Sequence, residues 1–435
     1  MNVNKVKSTL SSLINSMENT KSFFVVNPDR DFTRHRSISF SDTIKCLLNM
    51  ENHTLNSEIR YFFLSKKAPV PTSSAFIQQR KKLNENVFHY LFQSINEAFP
   101  LKKLFKGYHL FATDGSDINI PSLSGDTDTY INSNTEGVGY YQYHLNALYD
   151  VCEKRYIDFI IQPRAMENER TAFCTMVRNN VADGKCIYTA DRGYPSLNSI
   201  YNVIHAGQFF CFRLVELDGP GSLFKHNAVP DKDEFSIDIE FLVTRKYKKI
   251  YKSEPGKYKI LQKSKTFDGI PVGDKTSVVS LSFRLVKLKL DNGNHEYLIT
   301  NLPESEFGIE ELKDLYHRRW NIETSFRTLK YNICLTSFHS KKRNFIKQEI
   351  EARIILYNIT MITVSFVKVE KEGLKYTYSV AISDAVVTIR LFLKGWLSGT
   401  NVTKDLLKYL TPIRPGRTYQ RKVRSKRVIS FNNRS

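Results

Sequence analysis

The chain has 435 residues, with 64 Lys and Arg against 44 Asp and Glu for a formal charge of +20, and 41% of its residues are hydrophobic. That apolar content can bury a core, which excludes a disordered chain, and the length calls for two to four domains whose positive charge draws polyanions or anionic membrane surfaces. Six scattered cysteines without ligand spacing exclude a zinc module or disulfide framework, and the most apolar stretch, 354–369, is interrupted by Asn358, Ser365 and Lys368; a cytoplasmic protein with no membrane partner is expected.

Residues 1–107 carry 16 basic and 8 acidic side chains. Their 3.6-residue spacing predicts helices over 40–50, 57–63 and 87–99, with a break at Pro69-Val70-Pro71. Ser73 or Ser74 can cap a further helix over 75–83 with a polar face of Gln78, Gln79, Arg80 and Lys82, which suits a helix-turn-helix or another small bundle. From residue 108 the period changes to that of strands. One strand over 108–113 ends at Asp114-Gly115-Ser116, and 140–151 with 156–162 form a hairpin. A helix over 167–179, a strand over 186–190 ending at Asp191, a helix over 196–206 and a strand over 208–214 come next. The order β-β-β-α-β-α-β puts each of the two acids at the carboxyl end of a strand, where ligands gather in α/β sheets.

Residues 216–302 alternate at period two over 235–243, 276–289 and 296–300, and read as an all-β insertion. Residues 303–367 return to helix, over 309–331 and 344–367; residues 368–435 are helical, then basic. The charge is uneven: +8 in 1–107, +11 in 366–435 and +1 between them. Inside the middle, 245–265 has nine basic residues and one acid, interleaved with Tyr247, Tyr251 and Tyr258. Cations with rings suit a nucleic-acid backbone, with Lys248, Lys249 and Lys252 as candidate contacts, and a solvated lysine-rich hairpin fits as well. The run 414–427, seven positive residues of fourteen and no acid, reads as a phosphate-contacting arm or a solubilising tail.

On the predicted helix after Gly308, at 100° per residue, Tyr316, Arg319, Glu323 and Lys330 fall in one narrow stripe. Leu315, Ile322, Phe326, Leu329 and Ile333 form the packing stripe beside it. A carboxylate and two cations thus emerge at the rim of a core; each residue alone is equally an ordinary helical charge partner. Asp114 alone could be a turn residue and Asp191 a strand-end cap, whereas with Glu323 they make three carboxylates suited to divalent ions in phosphoryl transfer.

Tyr316, Arg319, Glu323 and Lys330, spaced by two, three and six intervening residues, together with the segments 112–116 around Asp114 and 189–194 around Asp191, resemble the insertion-sequence-four family of DDE transposases. The resemblance runs over residues 30–365 and implies an RNase H-like α/β core, a mixed sheet with helices on both faces, over 108–215 and 303–367, interrupted by the β insertion 216–302. It implies a DNA-binding helical domain over 1–107 and a C-terminal segment over 368–435. It further implies Asp114, Asp191 and Glu323 as catalytic ligands of two Mg²⁺ ions, replaceable by Mn²⁺, and Tyr316, Arg319 and Lys330 as DNA-phosphate residues. Terminal inverted repeats and target DNA are the implied partners, without a small-molecule substrate, and a homodimer joins two ends through cleavage, a hairpin intermediate and 3′-OH strand transfer. The family's base-stacking Trp in the last insertion strand is missing, and Tyr297 is the nearest ring. An RNase H-like nuclease or resolvase, or a catalytically silent transposase-derived DNA-binding protein, are the alternatives.

Overall fold

The computed structural model describes residues 3–34, 36–123, 125–132, 139–219, 222–370, 376–414 and 432–433. Most of the basic run 414–427 lies outside the described residues.

The N-terminal region is helical: α1 (Val3–Asn19), α2 (Phe40–Asn49), α3 (Leu55–Ser65), α4 (Ser73–Arg80) and α5 (Asn86–Ala98). The polar residues that precede these helices supply the hydrogen-bond acceptors that free helix N–H groups need. Ser39 and Asp42 form a reciprocal capping box on α2, and Thr54 and Thr72 accept from backbone N–H groups of α3 and α4. Arg80, expected on the polar face of α4, is turned inward. It is 1% exposed, and its guanidinium pairs with Glu349 at 2.9 Å, so this helix docks on the rest of the molecule through a buried ion pair.

The central α/β region comes next as β1 (His109–Ile120), β2 (Tyr130–Ile131), β3 (Tyr140–Asp150), β4 (Arg155–Pro163), α6 (Glu169–Asn179), β5 (Cys186–Ala190), α7 (Leu197–His205) and β6 (Phe209–Arg213). Strand order is β4-β3-β1-β5-β6, antiparallel across β4, β3 and β1, then parallel from β1 through β5 to β6. This is the expected RNase H-like arrangement. Buried threonines stitch it together just ahead of the two candidate acids: Thr113 Oγ1 donates to Ala147 O at 3.1 Å and Thr189 Oγ1 to Phe111 O at 3.0 Å.

The insertion contains β7 (Phe235–Thr244), α8 (Lys249–Ser253), β8 (Tyr258–Ile260), β9 (Val278–Lys289) and β10 (His295–Thr300). It holds a short helix besides the expected strands, and those strands extend the core sheet: β10 pairs antiparallel with β6, then β9 and β7 continue in one unbroken ladder. The segment 245–265 is not a hairpin, because β8 runs parallel to β7. Arg245 donates to three backbone carbonyls, of Ile270, Gln262 and Lys265, and so closes the loop on itself.

After the insertion come α9 (Ile309–Arg318), α10 (Asn321–Arg327), a π-helical turn (Thr328–Asn332), β11 (Ser337–Phe338), α11 (Arg343–Ser365), β12 (Tyr378–Val380), α12 (Ile382–Leu393), α13 (Gly399–Leu406) and β13 (Leu410–Pro412). The strand alternation divides apolar side chains between two cores. Leu110, Ala112, Leu298 and the helices α9 to α12 share one with the N-terminal helices; Phe111, Ile299, α6, α7 and the insertion share the other. Hence the sheet is covered on both faces. Among the described residues no helix is long and apolar enough to cross a membrane.

Candidate active site

The sequence places Asp114 where β1 stops. Instead β1 runs on to Ile120, because its antiparallel partner β3 continues alongside. The parallel partner does stop: β5 ends at Ala190, opposite Thr113. Asp114 is therefore the first residue of β1 with no neighbour on that side, and Asp191 is the residue at which the chain leaves β5. Both carboxylates sit at one notch in the sheet. Each turns an oxygen onto the next backbone N–H, Asp114 to Gly115 at 2.9 Å and Asp191 to Arg192 at 2.8 Å.

The third acid arrives on a bent element. The predicted single helix over 309–331 is α9, α10 and a π turn, with Arg319 and Trp320 at the joint. Leu315, Ile322, Phe326, Leu329 and Ile333 are all buried, as their spacing predicts. The polar stripe is not straight, however: the Ile333 N–H donates to Thr328 O, a five-residue step that rotates this last turn relative to α10. Lys330, inside that turn, has Asp117 as its opposing charge, while burial lowers its pKa.

Tyr316, Arg319 and Glu323 do meet the two aspartates. Tyr316 OH donates to Asp191 Oδ1 at 3.3 Å. Arg319 Nη2 donates to Glu323 Oε1 at 3.0 Å, and its Nη1 lies 3.9 Å from Asp114 Oδ2. One buried guanidinium thus connects two acids and one phenol reaches the third. Arg213 Nη1 adds a charge 3.9 Å from Asp191 and is itself held by Glu296 at 2.8 Å. Burial pushes the Asp114 carboxyl up to about 6; Arg319 and the Gly115 N–H oppose that shift, and the charges of Glu323 and Glu169 add to it. Burial likewise raises the Tyr316 phenol, which stays a hydrogen-bond donor at neutral pH.

The sequence has relatives among known proteins. The family described as "Transposase DDE domain" matches residues 106–359, more than half of the chain. The chain belongs to the DDE transposase family. It is 35% identical over 66 residues to the putative transposase InsL of insertion sequence element IS186A of Escherichia coli K12, and likewise to the transposase of IS421 of Escherichia coli. Each match covers 15% of this chain and only 18% of the relative's length. A cryo-EM structure of piggyBac transposase, in a synaptic complex with hairpin DNA, aligns over 95% of this chain and 84% of that one with 12% identity and a TM-score of 0.44.

Not every predicted residue of this family member comes to the notch. Tyr297 alternates with Glu296 and Leu298 on β10; Glu296 holds Arg213 beside Asp191, whereas Tyr297 packs on the opposite face in the second core. Lys248, Lys249 and Lys252 are exposed around α8, and the Tyr251 and Tyr258 rings beside them stack at 4.3 Å. The register places them far from the acids. Ala190 is level with Phe212, Ile299, Leu285 and Ile237 across the successive strands, and β7 runs seven residues past Ile237 before reaching Thr244. At ~3.4 Å per residue that is roughly 24 Å along the strand direction.

Other residues at the site carry no sequence signal of their own. Trp320, 46% exposed, comes directly after Arg319, whose guanidinium lies 5.9 Å from the indole ring. Arg213 and Glu169 are recognisable only once β5, β6 and α6 are docked. Asp117 pairs with His144 Nδ1 at 2.7 Å and with Arg164 Nε at 3.0 Å. Among the described residues, Asp117, His144 and Glu167, not the three predicted acids, are the group whose ligand atoms lie within 4.8 Å of one another. Burial alone would lower His144, but hydrogen bonds to Asp117 and Glu169 outweigh it and raise its pKa to about 9. Protonated, the imidazole pairs with Asp117, Glu167 and Glu169 in an ion-pair cluster.

The donor set at the notch fits a hard divalent cation. Asp114, Asp191 and Glu323 offer carboxylate oxygens, partly open to solvent at 24%, 35% and 36% of their side-chain surface. Arg319 now neutralises part of that charge, and its buried Nε and Nη1 have no hydrogen-bond partner.

Proposed function

We propose that the chain is a cut-and-paste DNA transposase that cleaves element ends and joins their 3′-OH to target DNA through a hairpin intermediate. The observation that carries this is the meeting of Asp114 and Glu323 at Arg319 beside the Tyr316–Asp191 pair. Bound divalent ions, Mg²⁺ or Mn²⁺, would activate the attacking oxygen and stabilise the leaving one. Asp114, Asp191 and Glu323 are their catalytic ligands. Arg319 grips the scissile phosphate with its two unpaired donors, Tyr316 donates to a phosphate oxygen or packs on sugar, and Lys330 supplies a nearby positive charge. Trp320 offers the exposed ring on which a base displaced during hairpin formation can stack.

The flanks handle DNA. A cavity of about 770 Å³ in the N-terminal region is lined by five cations, Lys21, Arg30, Arg34, Arg36 and Lys82, against three acids, Glu18, Asp29 and Asp31, a net positive surface that can take a phosphate backbone. Residues 1–107 read the terminal inverted repeats there, and Lys248, Lys249 and Lys252 hold DNA remote from the cut. Two ends require two protomers, so the working form is a homodimer, to which 368–435 contributes, acting on the nucleoid in the cytoplasm.

The deciding assay incubates the protein with Mg²⁺, a labelled linear end fragment and supercoiled plasmid. Joined product is expected, and Asp114→Ala, Asp191→Ala and Glu323→Ala should each abolish it while end binding stays within a few-fold. Cutting without joining would make the chain a nuclease or resolvase; binding without cutting would make it a silent DNA-binding protein.

A further inference from the structure

Glu169 opens α6, and its carboxylate is held in a defined place. His144, with 7% of its side chain exposed, donates from Nε2 to Glu169 Oε1 at 3.0 Å while its Nδ1 is held by Asp117 at 2.7 Å. A doubly hydrogen-bonded imidazole fixes the orientation of the carboxylate it faces. Two glycines border that carboxylate, and each lies within two residues after a candidate acid in the chain. A Cβ on Gly115 would stand 2.4 Å from Glu169 Oε1 and 2.3 Å from His144 Nε2, so any larger residue there would push both side chains from these positions. A Cβ on Gly193 would meet Glu169 Oε2 at 3.6 Å. The loop after Asp191 is tied to the same turn, since Arg170 Nε donates to Gly193 O at 2.8 Å.

Asp114 points to the sheet face covered by α10, and Glu169 comes from the other face, off α6. Glu169 lies against the backbone beside both acids because β5 has ended and Gly115 carries no side chain. Asp114 accordingly feels Glu169 as a like charge alongside Glu323. A carboxylate in the first turn of a helix is also favoured by the helix dipole, which accounts for its residue type but not for its place between two glycines.

We propose that Glu169 is a fourth carboxylate of the cation site, positioned by His144 and admitted by Gly115 and Gly193. This rests on Asp114 and Asp191 being cation ligands. The test is calorimetric titration of Mn²⁺ into the full-length, metal-free, DNA-free protein. Glu169→Gln keeps an acceptor for His144 and removes the charge; it should weaken Mn²⁺ binding by about tenfold or more without lowering the metal-free thermal midpoint. Asp114→Asn should weaken it as well. Unchanged affinity in Glu169→Gln together with a loss in Asp114→Asn overturns the role of Glu169 alone. Unchanged affinity in Asp114→Asn overturns the cation site itself. If Glu169→Gln fails to fold, Glu169→Asp retains charge with a shorter reach and should bind Mn²⁺ several-fold more weakly; wild-type affinity there also overturns the proposal.

Discussion

Arg319 donates to Glu323, one helical turn later, at 3.0 Å, and does so from a position 2% exposed to solvent. A buried guanidinium with two further unpaired N–H groups is a costly arrangement unless another anion completes it. Arg319→Lys keeps the charge and removes the planar fork. Initial rates of end cleavage should fall by at least about tenfold, while binding of end DNA changes by much less. A rate within twofold of wild type would show that the fork is not used on the scissile phosphate.

Asp114 should be a stability liability in the metal-free protein. Its carboxyl is raised to about 6 when folded, mainly by burial, against ~3.9 in an unfolded chain. Below pH 4 both states are protonated and the penalty is absent. It grows as pH rises through this window and is fully present above pH 6, where two pKa units amount to at most about 3 kcal/mol. Asp114→Asn should therefore raise the thermal midpoint by a few degrees at pH 7.5 in chelator and have little effect at pH 4. A lower midpoint at pH 7.5 would contradict the burial penalty.

The attachment of the N-terminal helices to the core depends on Glu349, which is fully buried. It accepts from Arg80 at 2.9 Å, Arg353 at 3.2 Å and His339 at 3.1 Å. Burial would raise this carboxyl, but those cations hold it well below its usual range. Glu349→Ala leaves two buried arginines without their shared partner and should cost on the order of 3–5 kcal/mol in denaturant unfolding. A loss below about 1 kcal/mol would mean that the helices dock mainly through their apolar faces.

End-DNA binding should be steeply salt-dependent. If six or more phosphates are neutralised, affinity falls on the order of 10³ or more between 50 and 200 mM salt. The triple change of Lys248, Lys249 and Lys252 to Ala should weaken binding similarly for specific and unrelated sequences and reduce the slope by about 3. A fluorescence-anisotropy series checks both; an unaltered slope would remove these lysines from the interface.

How legible each feature is in the chain alone depends on the range of the physics behind it. Short-range periodicity predicts β5 at Cys186–Ala190 without error and the packing stripe Leu315 to Ile333 correctly. The continuation of β1 past Asp114 depends on β3, a partner some thirty residues away, and the strand propensity of Asp114-Gly115-Ser116 carries no trace of it. A π turn is invisible to a helical wheel, which therefore aligns Lys330 with Glu323 although its opposing charge is Asp117. Arg80 looks like a surface cation until Glu349, from a helix more than 260 residues later, is placed against it. Glu169 reads as a helix-start acid and acquires another meaning only from the glycines that face it.

The continuous ladder from β6 through β10, β9 and β7 has a bearing on which DNA molecules the protein can use. An appendage on a tether could fold back onto a short substrate, but hydrogen-bonded strands cannot. With Lys248 displaced by at least roughly 24 Å along the strands, a duplex must extend about seven nucleotides past the scissile phosphate, at ~3.4 Å each, before it can touch both places. If these lysines hold DNA, trimmed oligonucleotides below that length would forfeit their grip, and the sheet would act as a built-in gauge of how much flanking sequence a bound end has to bring.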